Sequence, residues 1–313
     1  MKTLEATVVK NAGSRFYLSE LPQWDLFPAV LRGKVRLDAG TSTNPVAVGD
    51  RVVCECPDSP SEQDPAVITE ILDRRNCLMR KSTNLSRQSH VIATNLDRAV
   101  IVVSLYFPEV KLPFLDRELV CCGMYGIPAT IVLNKVDLYA AQAQDQVEAF
   151  EDIYAKAGYT VIRTSAKSGE GIDALRELCR DNLCLLSGES GVGKSSIVKA
   201  LNPELAPKVG NISTAHLQGK HTTSLYEMYP LKEGGFIIDT PGLRGFGLVG
   251  VEKEEIYTYF PEMLKASENC RFTPCSHTHE PGCGVKAAVD EGLIAPERYN
   301  SYLGMLEEDT KFR

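Results

Sequence analysis

The most informative stretch of the sequence is Gly188-Glu189-Ser190-Gly191-Val192-Gly193-Lys194-Ser195. An apolar run, 183–187, precedes it, and a helical pattern, 194–201, follows it. Gly-x-x-x-x-Gly-Lys-Ser between a strand and a helix predicts a loop whose backbone amides bind phosphate groups. Lys194 is expected to reach the β- and γ-phosphates, and Ser195, followed by Ser196, to place its hydroxyl on Mg²⁺.

A second phosphate element, Asp239-Thr240-Pro241-Gly242, follows the short apolar run 236–238. An acid at the end of a buried strand, downstream of a phosphate loop, is where a carboxylate that supports Mg²⁺ is expected. Gly242 is expected to offer its amide to the γ-phosphate. Alone, Asp-x-x-Gly is a common turn. Its position after the phosphate loop is what favours a role in nucleotide binding.

A base-reading element, Asn134-Lys135-Val136-Asp137, follows the apolar run 129–133. Guanine offers two N–H donors on one edge, and the carboxylate of Asp137 is expected to accept both. Adenine would leave that carboxylate unpaired, which is costly in a closed site. Asn134 is expected to brace the loop, and the aliphatic stem of Lys135 to lie along the base.

The order of these elements is unusual. Ser165-Ala166-Lys167, after the run 160–163, is expected to complete the base pocket with backbone amides, although a tripeptide alone is a weak signal. In most P-loop GTPases the base-reading element follows the phosphate loop, whereas here it precedes that loop. The order therefore predicts a circularly permuted sheet, which is tolerable where the old chain ends lie close together.

Residues 76–250 are predicted to form this GTP-binding domain, with a doubly wound α/β fold. Apolar runs alternate with helical patterns, which indicates a parallel sheet covered on both faces, with ligands at the carboxyl ends of its strands. The strand runs are 99–105, 129–133, 160–163, 183–187 and 236–238, and the helical patterns are 114–124, 142–157, 172–179 and 194–201.

Residues 1–75 are predicted to form a small β-barrel. Short runs rich in Val, Ile, Tyr and Phe are separated by Gly, Pro, Asn and Asp, which suits an OB-fold, although an SH3-like barrel would look similar. These runs are 4–10, 14–19, 29–37, 50–56 and 66–72. The barrel aromatics either stack on RNA bases or, the favoured interpretation, fill the barrel core; they are Phe16, Tyr17, Trp24 and Phe27.

Residues 251–313 are predicted to form a helical domain with a metal site. Cys270, Cys275, His277 and Cys283 have the spacing Cys-x4-Cys-x-His-x5-Cys. Three thiolates and one imidazole fit a single tetrahedral, structural Zn²⁺ ion. His279 competes with His277 on spacing alone, and the alternative is a Cys-rich loop without metal. The other seven cysteines are assigned no role.

The composition of the chain limits its expected cellular location and its binding partners. No apolar run approaches the roughly 20 residues of a membrane span, and residues 1–5 lack a signal-peptide pattern, so a cytoplasmic location with reduced thiols is expected. The net charge of −7 argues mildly against non-specific nucleic-acid binding. Residues 74–98 carry a local excess of positive charge, so RNA contact through a patch stays open.

Taken together, the chain resembles the circularly permuted ribosome-biogenesis GTPases called RsgA or YjeQ. The resemblance covers nearly the whole chain and rests on the barrel, the reordered GTPase elements and the Cys/His cluster. It implies a GTPase that acts in late maturation of the small (30S) ribosomal subunit, is stimulated by that subunit and binds its rRNA, with the barrel as a contact. It also favours His277 over His279. The acidic tail, 307–313, departs from relatives that carry a basic extension.

The resemblance also suggests where catalysis occurs. Gly219-Lys220-His221-Thr222-Thr223 is similar to the switch loop of that family, so Thr222 or Thr223 is expected to bind Mg²⁺. Leu243 occupies the position where Ras-like enzymes carry the glutamine that orients the attacking water. His221 is therefore the candidate catalytic residue, against the alternative that it is only a loop residue.

Two other functions stay open at this point. One is a GTP-gated RNA-binding module whose hydrolysis is only a slow reset. The other is a nucleotide-regulated metal-transfer protein that uses the Cys/His cluster as a donor. In each case the protein is expected to be a monomer, to bind GTP and GDP, and not to bind a membrane.

Overall fold

The computed structural model describes residues 1–33, 45–81, 89–139, 142–205, 226–239, 248 and 250–307. The first part is a closed barrel of five strands. Their order is β1-β2-β3-β5-β4, antiparallel β1–β4 pairing closes the barrel, and β3 runs parallel to β5. This is the OB-fold arrangement, so the SH3-like alternative is wrong. The strands are β1 (Lys2–Asn11), β2 (Phe16–Ser19), β3 (Phe27–Leu31), β4 (Arg51–Cys56) and β5 (Ala66–Ile71).

The central part is the predicted doubly wound sheet. Its strand order is β10-β9-β8-β11-β13-β12, parallel except for β12. The strands are β8 (Arg98–Val103), β9 (Ala129–Leu133), β10 (Val161–Arg163), β11 (Leu183–Ser187), β12 (Glu227–Pro230) and β13 (Phe236–Asp239). Because β11 lies between β8 and β13, a strand made later in the chain completes a sheet begun earlier, which confirms the permuted order.

Helices cover both faces of this sheet. Alternate residues of β8 enter different clusters: Ile101 packs on one face, while Val100 and Val102 pack on the other. Continuous apolar strands are therefore required, as the sequence predicted. The helices are α1 (Leu112–Met124), α2 (Val136–Tyr139), α3 (Gln144–Lys156), α4 (Ile172–Cys179) and α5 (Lys194–Leu201).

The barrel and the central sheet are joined edge to edge. Lys10 of β1 pairs with Glu227 of β12, and their side chains form an ion pair at 3.1 Å. The ring of Trp24 stacks on Phe236 with centroids 5.5 Å apart. Phe16 is buried in the barrel core. Phe16 thus fills the core as favoured, whereas Trp24 packs at the junction between the barrel and the sheet.

A hairpin that the sequence analysis did not predict lies between the barrel and the sheet, formed by β6 (Cys77–Lys81) and β7 (Ser89–Thr94). It coincides with the stretch interpreted as a charged patch. Some of that charge is used internally, because Arg74 binds the buried carboxylate of Asp50 through two nitrogens at 2.7 Å. Arg75 likewise pairs with Asp97 at 2.6 Å. The local basic excess is therefore smaller than the sequence suggests.

The last part is helical, as predicted. It consists of a 3₁₀ helix (Lys253–Tyr259) and the helices α6 (Pro261–Ser267), α7 (Gly284–Asp290) and α8 (Pro296–Glu307). Within the described ranges, no helix is long and apolar enough to cross a membrane.

A buried ionic network attaches this helical part to the central domain. The guanidinium of Arg298 on α8 donates to Asp116 of α1 at 2.7 Å and to Glu262 of α6 at 2.8 Å. Tyr154 of α3 donates to the same Asp116 oxygen at 3.0 Å, and the Arg298 guanidinium lies 4.5 Å from the centre of the Phe260 ring. Arg298 and Asp116 are fully buried, so each depends on the other for compensation of its charge.

Replacement of Arg298 by Met is expected to destabilise the protein by about 3–5 kcal/mol, because it leaves Asp116 buried without its ionic partner. Urea unfolding measures the change. Arg271→Met is the matched control, since Arg271 is an exposed arginine of the same region. A loss below about 1 kcal/mol for Arg298→Met, similar to the control, would show that the network is not a stability determinant.

Candidate functional site

The predicted phosphate loop departs from the end of β11, at the centre of the sheet. Gly188 has φ 134°, and a Cβ there would lie 2.1 Å from the carbonyl oxygen of Val102. Gly193 has φ 101°, and a Cβ there would lie 2.4 Å from Nδ2 of Asn134. Both positions therefore require glycine, one for the tight turn and one for close approach to the base-reading element.

Lys194 curls back over this loop. Its Nζ donates to the carbonyl oxygens of Gly188 at 2.6 Å and Glu189 at 2.9 Å. Burial lowers its pKa, and the nearby carboxylates of Asp239 and Glu118 oppose that effect. The ammonium is thus held against the backbone at the start of the loop.

The rest of the loop is open to solvent in part. Val192 is buried and Glu189 is half-buried, whereas Ser190 and Gly191 are exposed. Ser195 and Ser196 are exposed in the first turn of α5. The helix start and its hydroxyls are therefore accessible to an anion and its metal ion.

Asp239 ends β13, next to the phosphate loop. It pairs in register with Leu186 of β11, and its side chain is largely buried. The acid therefore lies at the carboxyl edge of the sheet beside Lys194, as the sequence predicted. Gly242, His221, Thr222 and Thr223 lie outside the described residues, so their roles stay predictions.

Asn134 connects the base-reading element to the phosphate loop. Its buried side chain donates from Nδ2 to the carbonyl oxygen of Val192 at 2.8 Å. Its Oδ1 accepts from the Thr164 hydroxyl at 3.2 Å and from the Ala166 amide at 3.4 Å. Asn134 thus braces three segments at once, which agrees with the bracing role that the sequence predicted.

Lys135 makes a second connection. Its Nζ donates to the carbonyl oxygens of Gly191, at 2.6 Å, and of Phe107. To make these bonds, the side chain of Lys135 extends from the base-reading element to the phosphate loop. Its methylene groups therefore lie between these two elements. Val136, the next residue, is buried and serves packing.

Asp137 is the acid expected to read guanine. It is exposed in the first turn of α2, and its Oδ1 accepts from the Ser165 hydroxyl at 2.7 Å. Ser165 is buried and its Oγ also accepts from the Ser168 amide at 3.0 Å, so the hydroxyl is fixed. Ala166 and Lys167 follow in the same loop. The carboxylate is thereby oriented yet accessible, which is the arrangement that two N–H donors of a base require.

Glu118 lies beside the phosphate loop but was not predicted as a site residue. This α1 residue is 1% exposed, and the Ser187 hydroxyl lies 3.3 and 3.4 Å from its two carboxylate oxygens. Burial raises the pKa of Glu118 to about 8, against opposing effects from the Ser187 hydrogen bond and Lys194. A signal was present, because Glu118 follows Leu115 by three residues on the apolar stripe of α1.

The four predicted metal ligands meet at one point. The ligand atoms of Cys270, Cys275, His277 and Cys283 all lie within 4.8 Å of one another. Nδ1 of His277 is 3.5 Å from Sγ of Cys270 and of Cys283, and these two sulfurs are 4.0 Å apart. Tetrahedral zinc bonds would separate nitrogen and sulfur by about 3.5 Å and two sulfurs by about 3.8 Å. The cluster therefore could hold a metal ion.

The surroundings favour His277 over His279 as the histidine of the cluster. His277 is buried, whereas His279 is exposed and hydrogen-bonds through Nδ1 to Thr278 at 2.9 Å. The amides of Gly284 and Lys286 point at the sulfurs of Cys270 and Cys283, at 3.2 and 3.5 Å. Burial lowers the pKa of His277, which favours the neutral imidazole that binds metal.

The fold and the two connected loops define a circularly permuted P-loop GTPase architecture. Two solved structures have it: YjeQ from Thermotoga maritima, with a TM-score of 0.77 and 30% identity over 97% of this chain and 98% of that one, and YloQ, described as a circularly permuted GTPase, with a TM-score of 0.74 and 26% identity over 97% and 94%.

Sequence comparison gives the family. A family model described as RsgA GTPase matches residues 71–249. A small ribosomal subunit biogenesis GTPase RsgA of Bacteroides fragilis is 44% identical over 99% of both chains. One from Flavobacterium psychrophilum is 43% identical over 96% of this chain and 92% of its own. The chain belongs to the RsgA GTPase family.

Proposed function

We propose that this protein hydrolyses GTP during late maturation of the small (30S) ribosomal subunit, that the subunit stimulates hydrolysis, and that the protein binds rRNA. The observation that carries the proposal is the convergence of the base-reading and phosphate elements through Asn134, whose side chain bonds to both. Relatives similar over 99% of their length are called small ribosomal subunit biogenesis GTPases.

The nucleotide roles proposed here are supported by the contacts of the described residues. Asp137 accepts the guanine N–H donors, while Asn134, Lys135 and the backbone of 165–167 shape the base pocket. The loop 188–193 and Lys194 bind the phosphates. Ser195 binds Mg²⁺ together with Thr222 or Thr223, and Asp239 supports the ion. GDP and phosphate are the products of hydrolysis. The proposed domains are residues 1–75, 76–250 and 251–313.

The metal is proposed to be one structural Zn²⁺ ion. Four protein ligands leave no open position for substrate, which is typical of structural rather than catalytic zinc. The site is also tied into the fold, since Tyr302 of α8 donates to the Ser276 carbonyl oxygen at 2.8 Å and Tyr299 to that of His277 at 2.6 Å. A metal donor would need to release its ion easily, so this argues against the metal-transfer alternative.

The partner is proposed to be the small subunit and its rRNA, with the barrel as a contact surface. This partner is inferred from the names of the relatives. The net charge of −7 does not support it, because such a charge gives no general attraction to RNA. A monomer working in the cytoplasm fits that partner. The alternative, a GTP-gated RNA-binding module with only slow hydrolysis, predicts binding without stimulated turnover.

Multiple-turnover GTP hydrolysis with purified small subunits, large subunits and neither tests the proposal. Without a positioned group beside the attacking water, we expect turnover of about 10⁻⁴ s⁻¹, as for unassisted Ras-like sites. Small subunits are expected to raise it at least about tenfold by positioning such a group, which can lower the barrier by several kcal/mol. His221→Ala is expected to lose most of this stimulation.

His279→Ala is the matched control, because His279 is an exposed histidine outside the Cys/His cluster. Equal rates with and without small subunits would favour the RNA-binding module. Full stimulated turnover in His221→Ala, with the control unchanged, would show that another group positions the water.

A further inference from the structure

Helix α1 places a carboxyl group directly beneath the phosphate loop. Glu118 contacts the hydroxyl of Ser187, at 3.3 and 3.4 Å, and Ser187 is the last residue of β11 before Gly188. A Cβ added at Gly188 would collide with the Val102 carbonyl oxygen, so the backbone at this point is tightly enclosed. Glu118 therefore touches the residue from which the loop departs.

A small cavity separates α1 from the underside of the loop. Glu118 lines it together with Gly188, Glu189 and Val192 of the loop, and most of the remaining wall is apolar. A carboxylate in such surroundings loses its hydration without full compensation, so the neutral acid is favoured. The charge of Glu118 therefore depends on which charged groups stand on the other side of the loop.

Within the part of the chain that the structure describes, the ionisable groups around Glu118 lie on different elements. Lys194 attracts a negative charge on Glu118, and Glu189 repels it. Burial has the largest effect and raises the pKa to about 8. Among the described residues, the set also includes Lys111, which lines the cavity, Arg117, Cys121 and Cys122 on α1, and Asp239, which acts on Lys194.

We propose that Glu118 is a positioning residue for the nucleotide site: when nucleotide phosphates bind, its carboxyl group takes up a proton from solvent and, as the neutral acid, holds Ser187 and the start of the phosphate loop. The inference rests on the proposed nucleotide binding. Phosphates add negative charge above the loop and engage Lys194, and both changes disfavour the carboxylate beneath it. An ionised Glu118 would instead compete with the phosphates for Lys194.

The sign of the pH dependence follows. In the free protein the pKa of Glu118 is about 8. Bound phosphates raise it further, so binding and protonation are linked. The favourable effect on affinity is fully present below pH 8, where the acid is already neutral, and is lost as the pH rises through the free-protein pKa. Affinity for nucleotide should therefore fall between pH 7.5 and 9.5.

Calorimetry of GDP binding with Mg²⁺, in buffers of different ionisation enthalpy, tests this. Because the bound state has the higher pKa, linkage predicts a Kd several-fold higher at pH 9.5 than at pH 7.5, with net proton uptake near pH 8.5. The phosphate groups titrate near pH 6, below this window, whereas the guanine N1 proton titrates in its upper part and does so equally in wild type and variant. Glu118→Gln is therefore expected to lose most of the proton uptake near pH 8.5 and most of the rise in Kd, so that the difference between the two profiles reports Glu118.

Glu109→Gln is the control, because Glu109 is an exposed glutamate just before α1 and should keep the wild-type profile. GDP binding by the wild type without proton uptake would overturn the inference, and this measurement needs no variant. A wild-type profile in Glu118→Gln would also overturn it. Absence of GDP binding at every pH would contradict the proposed function itself, and the inference with it.

Discussion

Replacement of Asp137 by Asn is expected to weaken GTP binding about 10²- to 10⁴-fold, since two hydrogen bonds to a charged acceptor contribute about 1.5–3 kcal/mol each. The carboxylate is exposed and is oriented by the Ser165 hydroxyl at 2.7 Å, so it is placed to accept both guanine donors. An amide at this position offers one donor and one acceptor. That pattern matches xanthine, which carries a carbonyl oxygen where guanine carries its amino group.

Binding of GTP and xanthosine triphosphate to the wild type and the variant measures this exchange of specificity. The variant should prefer the xanthine nucleotide, and the wild type GTP. Asp145→Asn is the matched control, because Asp145 is also an exposed acid in the first turn of a helix and lies away from the base-reading element. Unchanged GTP affinity in Asp137→Asn would remove Asp137 from the base site.

Replacement of Cys275 by Ser is expected to abolish tight metal binding and to unfold the helical part around it. Structural zinc contributes apparent binding free energies of about 10–16 kcal/mol in small peptides, where binding and folding are one process. Here the segment that carries Ser276 and His277 also anchors α8 through the hydroxyl groups of Tyr299 and Tyr302. Loss of the metal should therefore loosen α8 as well as the ligand loop.

Metal analysis of protein purified without chelator should give about one zinc per wild-type chain and much less in the variant. Hydrogen exchange should lose protection over 253–307. Cys77→Ser is the control, since Cys77 is a half-buried thiol outside the cluster. A full equivalent of metal in Cys275→Ser, or unchanged protection of α8, would contradict the structural role.

Local patterns predicted most of the fold. Helices α4 and α5 and strands β9 and β11 have the predicted bounds, because each combines a strong apolar period with a glycine or polar boundary. Strand β12 was missed, since four residues ending in Pro230 give no periodic signal. The hairpin of β6 and β7 was missed because charged residues interrupt its apolar alternation.

Contacts between distant residues were the part of the site that the sequence could not give. Arg298 and Asp116 are 182 residues apart, and no local pattern indicates that a buried arginine of the last helix neutralises an acid of α1. Glu118 likewise meets Ser187 across 69 residues. The ligand motifs, by contrast, have fixed spacings that their chemistry requires, so the sequence indicates them; the structure brings the four metal-ligand candidates together and joins the base-reading and phosphate loops.

The strand order has a consequence for the nascent chain. β8, β9 and β10 are translated before β11, yet β11 must pair with β8 on one side and β13 on the other. From Val103 to Leu183 the ribosome needs roughly 4–16 s at typical elongation rates, and during that interval one edge of β8 has no neighbouring strand. Unpaired apolar edges invite wrong partners. The barrel, whose five strands are complete by Ile71, faces no such delay. The half-sheet that carries the base-reading loop must therefore wait, during every round of synthesis, for the strand that carries the phosphate loop.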